Sequence, residues 1–286
     1  MKIYKLIASA FIISTTFLSA GTQAQQLKVP APSPSQTVKQ AFGLSDITIE
    51  YSRPGVKGRT IYGDVVPFGK VWRTGANATT KITFGDDVKL EGKDVAAGTY
   101  GIYTIPNKDS WDIMLYKDLT LGGSIEDYKA ENELLRFNVK TTPLANKVET
   151  FTINISDVSP SSANIELLWE QTRVAFKVTT DIDAKIMKNI DTYVVKDNKP
   201  YYQAASYYYD NDKDLNKALE WVNKAIELNP KAYYMVHTKA KIQNKLKDYK
   251  GAMTTAEQSM ALAKEAKSDD YVRLNEKLIA EIKKNH

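Results

Sequence analysis

The chain is expected to be an α+β multidomain protein in which an antiparallel β-sandwich or jelly-roll-like domain precedes an all-α helical repeat domain. Three observations predict this. Apolar residues alternate with polar ones as far as about residue 180, which is the period of half-buried strands. Beyond that point they return every fourth residue, the spacing of a helix face, and part of the later chain repeats itself after 34 residues.

The elements follow in order. Lys2 and Lys5 precede an apolar run from Leu6 to Leu18, and small or polar residues then lead to Thr22-Gln23-Ala24. This is the pattern of an export signal cleaved after Ala24, so 1–24 is expected to be removed and the protein to be periplasmic or secreted. The run of about 13 residues is short of the roughly 20 that span a bilayer as a helix, so membrane contact is expected only before cleavage. With no cysteine in the chain, disulfides, thiolate metal ligands and lipid attachment are excluded. A leader at 25–36, rich in Pro, Ser and Gln, is followed by the β domain at 37–180. Strands are expected around Ile47–Tyr51, Thr80–Phe84, Val88–Leu90, Thr99–Ile105, Trp111–Tyr116, Leu134–Val139, Thr150–Ile155, Asn164–Trp169 and Val174–Val178. Turn residues separate them, among them Gly85-Asp86-Asp87, Pro143 and Ser159-Pro160.

The helical part is expected over 181–286. Ile182, Ile186, Ile190 and Val194 lie four apart and mark a first helix, with Asp181 and Asp183 at its positive end. Ala218 and Ala252 then occupy equivalent places in two units, 199–232 and 233–266, with flanking helices near 182–195 and 270–284 as caps. The first unit resembles the tetratricopeptide repeat through Tyr202, Ala205, Ser206, Tyr209, Ala218, Val222, Ala225 and Asn229-Pro230. The second keeps Ala240, Ala252 and Ser259 but has Gln243 and Lys264 where Tyr and Pro are usual. The resemblance implies a groove for a protein or peptide partner, with Tyr202, Tyr209 and His237 as candidate groove residues.

One stretch breaks the β pattern. Ser52 to Ala78 has no clear periodicity, and connections this long are usually functional or disordered. Val65, Val66, Phe68, Val71 and Trp72 argue for order. The stretch also holds Arg53, Arg59 and Arg73, three of the six arginines of a lysine-rich chain. Guanidinium offers a planar fork that pairs with carboxylate or phosphate through two hydrogen bonds. Arg53, Arg59, Trp72, Arg73, Asn77 and Tyr62 are therefore candidate ligand-binding residues for an anionic small molecule or glycan, with Trp72, Tyr62 or Tyr51 as stacking faces. In the competing reading the arginines clasp the loop by pairing with Asp64, Glu50 or backbone carbonyls.

Other chemistry finds little support. The only histidines are His237 and His286, so neither a Ser/His/Asp triad nor a histidine-rich metal site can form in the β part. No metal, cofactor or nucleotide fingerprint is expected. With 39 Lys and Arg against 34 Asp and Glu, and no block of like charge, nucleic acid is not an expected partner. Asp64, Asp86, Asp87, Asp94 and Asp112 are available as acid and base, and nothing in their spacing singles out a pair.

Several separated motifs also resemble the bacterial domain-of-unknown-function family 2911 across about residues 33 to 180. They are Tyr51-Ser52-Arg53-Pro54, Lys57-Gly58-Arg59, Val71-Trp72-Arg73-Thr74-Gly75-Ala76-Asn77, Ala97-Gly98-Thr99-Tyr100 and Leu168-Trp169-Glu170. Ala78 departs from the family pattern, which has an acidic residue there. The resemblance implies an exported protein of a Gram-negative bacterium, often followed by tetratricopeptide repeats, and no known activity. The function expected is thus a non-catalytic binding or interaction protein; the alternative is a carboxylate-based hydrolase acting on envelope glycan. Two acidic side chains within about 10 Å in a cleft beside Arg73 would favour the hydrolase.

Overall fold

The computed structural model describes residues 29–195 and 200–285; the expected export signal and the first residues of the leader lie outside the described residues. Nine strands form one antiparallel sheet: β1 Ser35–Phe42, β2 Ser45–Ser52, β3 Thr80–Phe84, β4 Val88–Leu90, β5 Lys93–Val95, β6 Gly98–Pro106, β7 Ser110–Tyr116, β8 Glu133–Ser156 and β9 Ser162–Thr179. Their spatial order is β1-β2-β3-β6-β7-β8-β9-β4-β5. Six α-helices follow: α1 Asp183–Ile190, α2 Tyr201–Asp210, α3 Leu215–Leu228, α4 Tyr233–Lys245, α5 Tyr249–Glu265 and α6 Asp269–Asn285.

The strand expectations need three corrections. Ser35–Phe42 is strand β1, which begins within the expected leader and precedes the first expected strand; it is an edge strand whose face carries few apolar residues, so alternation does not reveal it. Lys93–Val95 adds a three-residue strand hairpinned to β4. Leu134–Val139 and Thr150–Ile155 are one strand, and so are Asn164–Trp169 and Val174–Val178, because the chain runs extended through Pro143. The ladder accommodates the proline by register shifts between Pro143 and Val148 and between Val148 and Thr152.

Strand β8 gives the sheet its shape. Its first part pairs with β7 and its second with β9, so the sheet folds over along this strand. The two halves then share one core, in which Ile49, Tyr51, Ile82 and Ile113 from one side meet Phe151, Ile153, Leu167 and Trp169 from the other. Tyr51 joins the halves directly: its hydroxyl accepts from the Ile153 N–H at 2.9 Å, and its ring meets Phe151 edge-on at 5.8 Å. Fully burying a side chain of this size stabilises the fold by about 1.5–3 kcal/mol. Trp111 and Trp169, both buried, thus count among the largest individual contributions.

In the helical part Ala218 and Ala252 are fully buried where α3 and α5 meet their neighbours. Small side chains there let the helix axes approach. Asp214 caps α3 by accepting from the Asn216 and Lys217 N–H groups, and Asp248 caps α5 by accepting from Gly251. A buried polar chain links three helices: His237 Nδ1 lies 2.8 Å from Asn275 Oδ1, Asn275 donates to Ser259, and Ser259 donates to the Tyr233 carbonyl. The helices meet the sheet through α1, where Lys185 bonds Asp86 and the Tyr207 hydroxyl donates to Asp183.

Candidate functional site

The segment between β2 and β3 contains no regular strand, yet it is tied down along its length. Val56, Ile61 and Val66 are buried in the β core. Gly55 bridges Thr150, Gly69 N–H donates to the Pro106 carbonyl, and Trp72 exchanges both backbone hydrogen bonds with Thr104 on β6. After Trp72 the chain turns sharply. Thr74, fully buried, sits at φ 57° and Asn77 at φ 59°, a left-handed backbone that costs a non-glycine residue about 1–2 kcal/mol. Hydrogen bonds hold the turn: Thr80 Oγ1 donates to the Thr74 carbonyl at 2.6 Å, and Thr74 Oγ1 lies 3.2 Å from Thr104 Oγ1. The strained turn places Arg73 beside a cleft of about 500 Å³.

Three cations line this cleft, Arg59, Lys70 and Arg73, and no Asp or Glu does. None of the three forms an ion pair among the described residues. Arg59 donates to the Gly55 and Val56 carbonyls at 2.7 and 3.1 Å. Arg73 donates to the Asn77 carbonyl at 2.8 Å. These bonds orient each guanidinium through neutral acceptors, so its charge stays uncompensated. Gly123 lets the β7–β8 connection close over this spot, since a Cβ there would run into the Asn77 carbonyl and Arg73. The same connection accepts Thr79 N–H and Oγ1 at the Gly122 carbonyl and brings Ile125 to the cleft.

Arg59, Trp72, Arg73 and Asn77, all expected from sequence, line the cleft together; Arg53 and Tyr62 do not. Arg53 instead clasps β8, with Nε donating to the Phe151 carbonyl at 3.0 Å and Nη2 to Thr152 Oγ1 at 2.7 Å. Tyr62 packs edge-on against Trp111 and Trp169, and burial pushes its hydroxyl well above the usual tyrosine range, with the Glu170 charge adding to the rise. Trp72 is not a free stacking face either. Its ring lies 5.8 Å from that of Trp169 at 17°, with Phe151 and Trp111 against it, and its Nε1 donates to the Gly75 carbonyl. Neither Asp64 nor Glu50 pairs with an arginine; the partners are carbonyls and one threonine hydroxyl. Lys70 and Ile125 were not singled out by sequence, and Val65 only as a sign that the loop is ordered.

Of the aspartates considered for acid–base work, none lines the cleft. Asp86 bonds Lys185, Asp94 bonds Lys89, Asp112 accepts from Asn138, and Asp87 accepts from the Ala97 N–H. Among the described residues, no group of three or more His, Cys, Asp or Glu is placed to hold a metal ion. On the helices, Tyr209 is half-buried beneath Lys241 and Lys245, at 4.5 and 4.9 Å from its ring centre, and Tyr202 shares a hydrogen bond with Thr238. His237 is buried between α4 and α6, and burial lowers its pKa. Its ring is taken up in the helix packing, against Asn275 and Tyr271 of α6.

Comparison with family models matches residues 33–178 to the family described as "Protein of unknown function (DUF2911)". No curated protein and no solved structure matches the chain.

Proposed function

The chain belongs to the DUF2911 family, whose description names no activity, and from that premise we propose that it is an exported, non-catalytic protein that binds a small anion in the cleft beside Arg73. The observation that carries this reading is the charge pattern of the cleft. Three cations converge on about 500 Å³ with no carboxylate among the lining residues and, among the described residues, no ion pair to neutralise them. A volume of this size suits a small molecule. A cleft without carboxylates offers no acid–base pair, so the glycan hydrolase reading has no geometry to stand on at this place. The strained turn at Thr74 and Asn77 supports a binding role, because such backbone persists where the surroundings over-determine it and clusters at functional sites.

Export in this reading rests on the signal pattern ending at Ala24, and a periplasmic or secreted location follows from it. For the helices we infer a tetratricopeptide-like pair of units with a protein or peptide partner. The support is the placement of buried Ala218 and Ala252, 34 residues apart, in α3 and α5 of successive helix pairs.

Calorimetric titration of the purified protein with carboxylates, phosphates and sulfates tests the cleft. Binding that weakens as salt is raised, and that Arg59→Ala and Arg73→Ala reduce while Arg136→Ala does not, is the expected result. Failure of every anion to bind overturns the proposal.

A further inference from the structure

The cleft has a second face that its charge does not explain. Val65 and Ile125, 40% and 42% exposed, both line it. Val65 and Ile125 are two of the nine large hydrophobic residues that the described residues leave exposed, and they reach the cleft from two separate connections. Single exposed apolar side chains need no explanation, whereas a group of them beside a charged recess marks a surface that something covers. Val71, half-buried, continues the apolar wall toward Trp72.

The polar groups restrict what that something can be. A sugar acid needs flat aromatic faces and many hydrogen-bonding partners. Here Trp72 is stacked on Trp169, Tyr62 lies outside the lining, and the Asn77 amide already donates to the Ser33 carbonyl and Ser52 Oγ. An amino acid would bring an ammonium group to a cleft with no carboxylate to meet it. The remaining N–H groups of Arg59 and Arg73 and the Lys70 ammonium suit an oxyanion head, and the Val65–Ile125 wall suits a chain of methylenes.

We propose that the cleft binds an amphiphilic anion: a carboxylate or phosphate head held by Arg59, Lys70 and Arg73, with a short aliphatic tail laid against Val65, Val71 and Ile125. This rests on the anion-binding reading given above. The two heads share the chemistry and differ in source, so both enter the test.

The experiment is a calorimetric titration of the purified protein with butanoate, hexanoate, octanoate, octyl phosphate, inorganic phosphate, galacturonate and 1-octanol. Affinity is expected to rise about threefold per methylene along the carboxylates, and a negative heat-capacity change should accompany the longer chains. Octyl phosphate in place of octanoate identifies which head is preferred, and binding of either supports the proposal. Lys70→Ala, which removes an exposed side chain with no ion pair among the described residues, is expected to weaken octanoate roughly tenfold with the melting temperature unchanged. Ile125→Ser should weaken octanoate and leave butanoate as it was. Equal affinity for butanoate, octanoate and galacturonate would overturn the tail while leaving an anion cleft. Binding of 1-octanol as tightly as octanoate would overturn the head. If no member of the series binds, both this inference and the reading beneath it fall.

Discussion

Arginine is used in two ways in the β part of this molecule. On β8 and β9, Arg136 and Arg173 each clasp a glutamate: Arg136 reaches Glu133 through two hydrogen bonds of 2.9 and 2.5 Å, and Arg173 holds Glu166 at 3.1 and 2.5 Å. In the connection between β2 and β3, Arg53, Arg59 and Arg73 reach only neutral acceptors. The first arrangement spends the positive charge inside the protein. The second fixes the guanidinium and leaves its charge for something else. A count of salt bridges would have passed over the loop, and its lack of them is what makes the cleft distinctive.

The sharpest test of this contrast is Arg173→Ala. Glu166 is 9% exposed and would be left without its cation, so about 2–3 kcal/mol of unfolding free energy should be lost at pH 7, read from chemical denaturation. Burial by itself would push the Glu166 carboxyl up; the hydrogen bonds and charge of Arg173, joined by Ser156 and Asn154, outweigh it and hold the group below its usual value of 4.5. A depressed carboxyl contributes stability that is present above that value and is lost as pH falls through the folded one. The cost of Arg173→Ala should therefore be greatest near neutrality and shrink toward pH 3. A cost that does not change with pH would show that the pair acts through packing.

Arg53 is the intermediate case, in the loop by sequence but a clasp by structure. Arg53→Ala removes two donors to β8 and is expected to cost about 2 kcal/mol, and Arg53→Lys should recover little because ammonium cannot span both acceptors. A silent Arg53→Ala would move this residue into the same class as Arg73. Arg59→Ala and Arg73→Ala should cost about 1 kcal/mol, since each gives up only hydrogen bonds to neutral carbonyls and leaves no charge unpaired. Lys70→Ala should stay within about 0.5 kcal/mol. Large melting losses from all three cleft cations would erase the contrast and make the loop a structural strap throughout.

The sequence exposed the cleft only in part, for identifiable reasons. Arginine clustering in a lysine-rich chain pointed to Arg59 and Arg73, because residue choice registers chemistry directly. It could not separate Arg53 from them, since the Phe151 carbonyl that Arg53 meets is 98 residues away. Ile125 was invisible for the same reason: it reaches the cleft through the β7–β8 connection. Among the strands, alternation found those with one buried face and missed β1, where Val38 and Phe42 stand among polar and small residues. Pro143 looked like a turn because proline removes a ladder donor, and β8 absorbs that loss in its register shifts.

The sheet order also governs when the β part can close. Strands β4 and β5 follow β3 in the chain but stand at the far end of the sheet, with Lys89 opposite Thr179 and Leu90 opposite Val178. During synthesis this hairpin has no neighbour until the last residues of β9 have been made. Until then its open edge and that of the second part of β8 lack their partner strand, and non-local pairing of this kind is slow and prone to misassembly. The order of emergence therefore makes β9 the final piece, and a nascent chain halted before Val178 would carry an unfinished core.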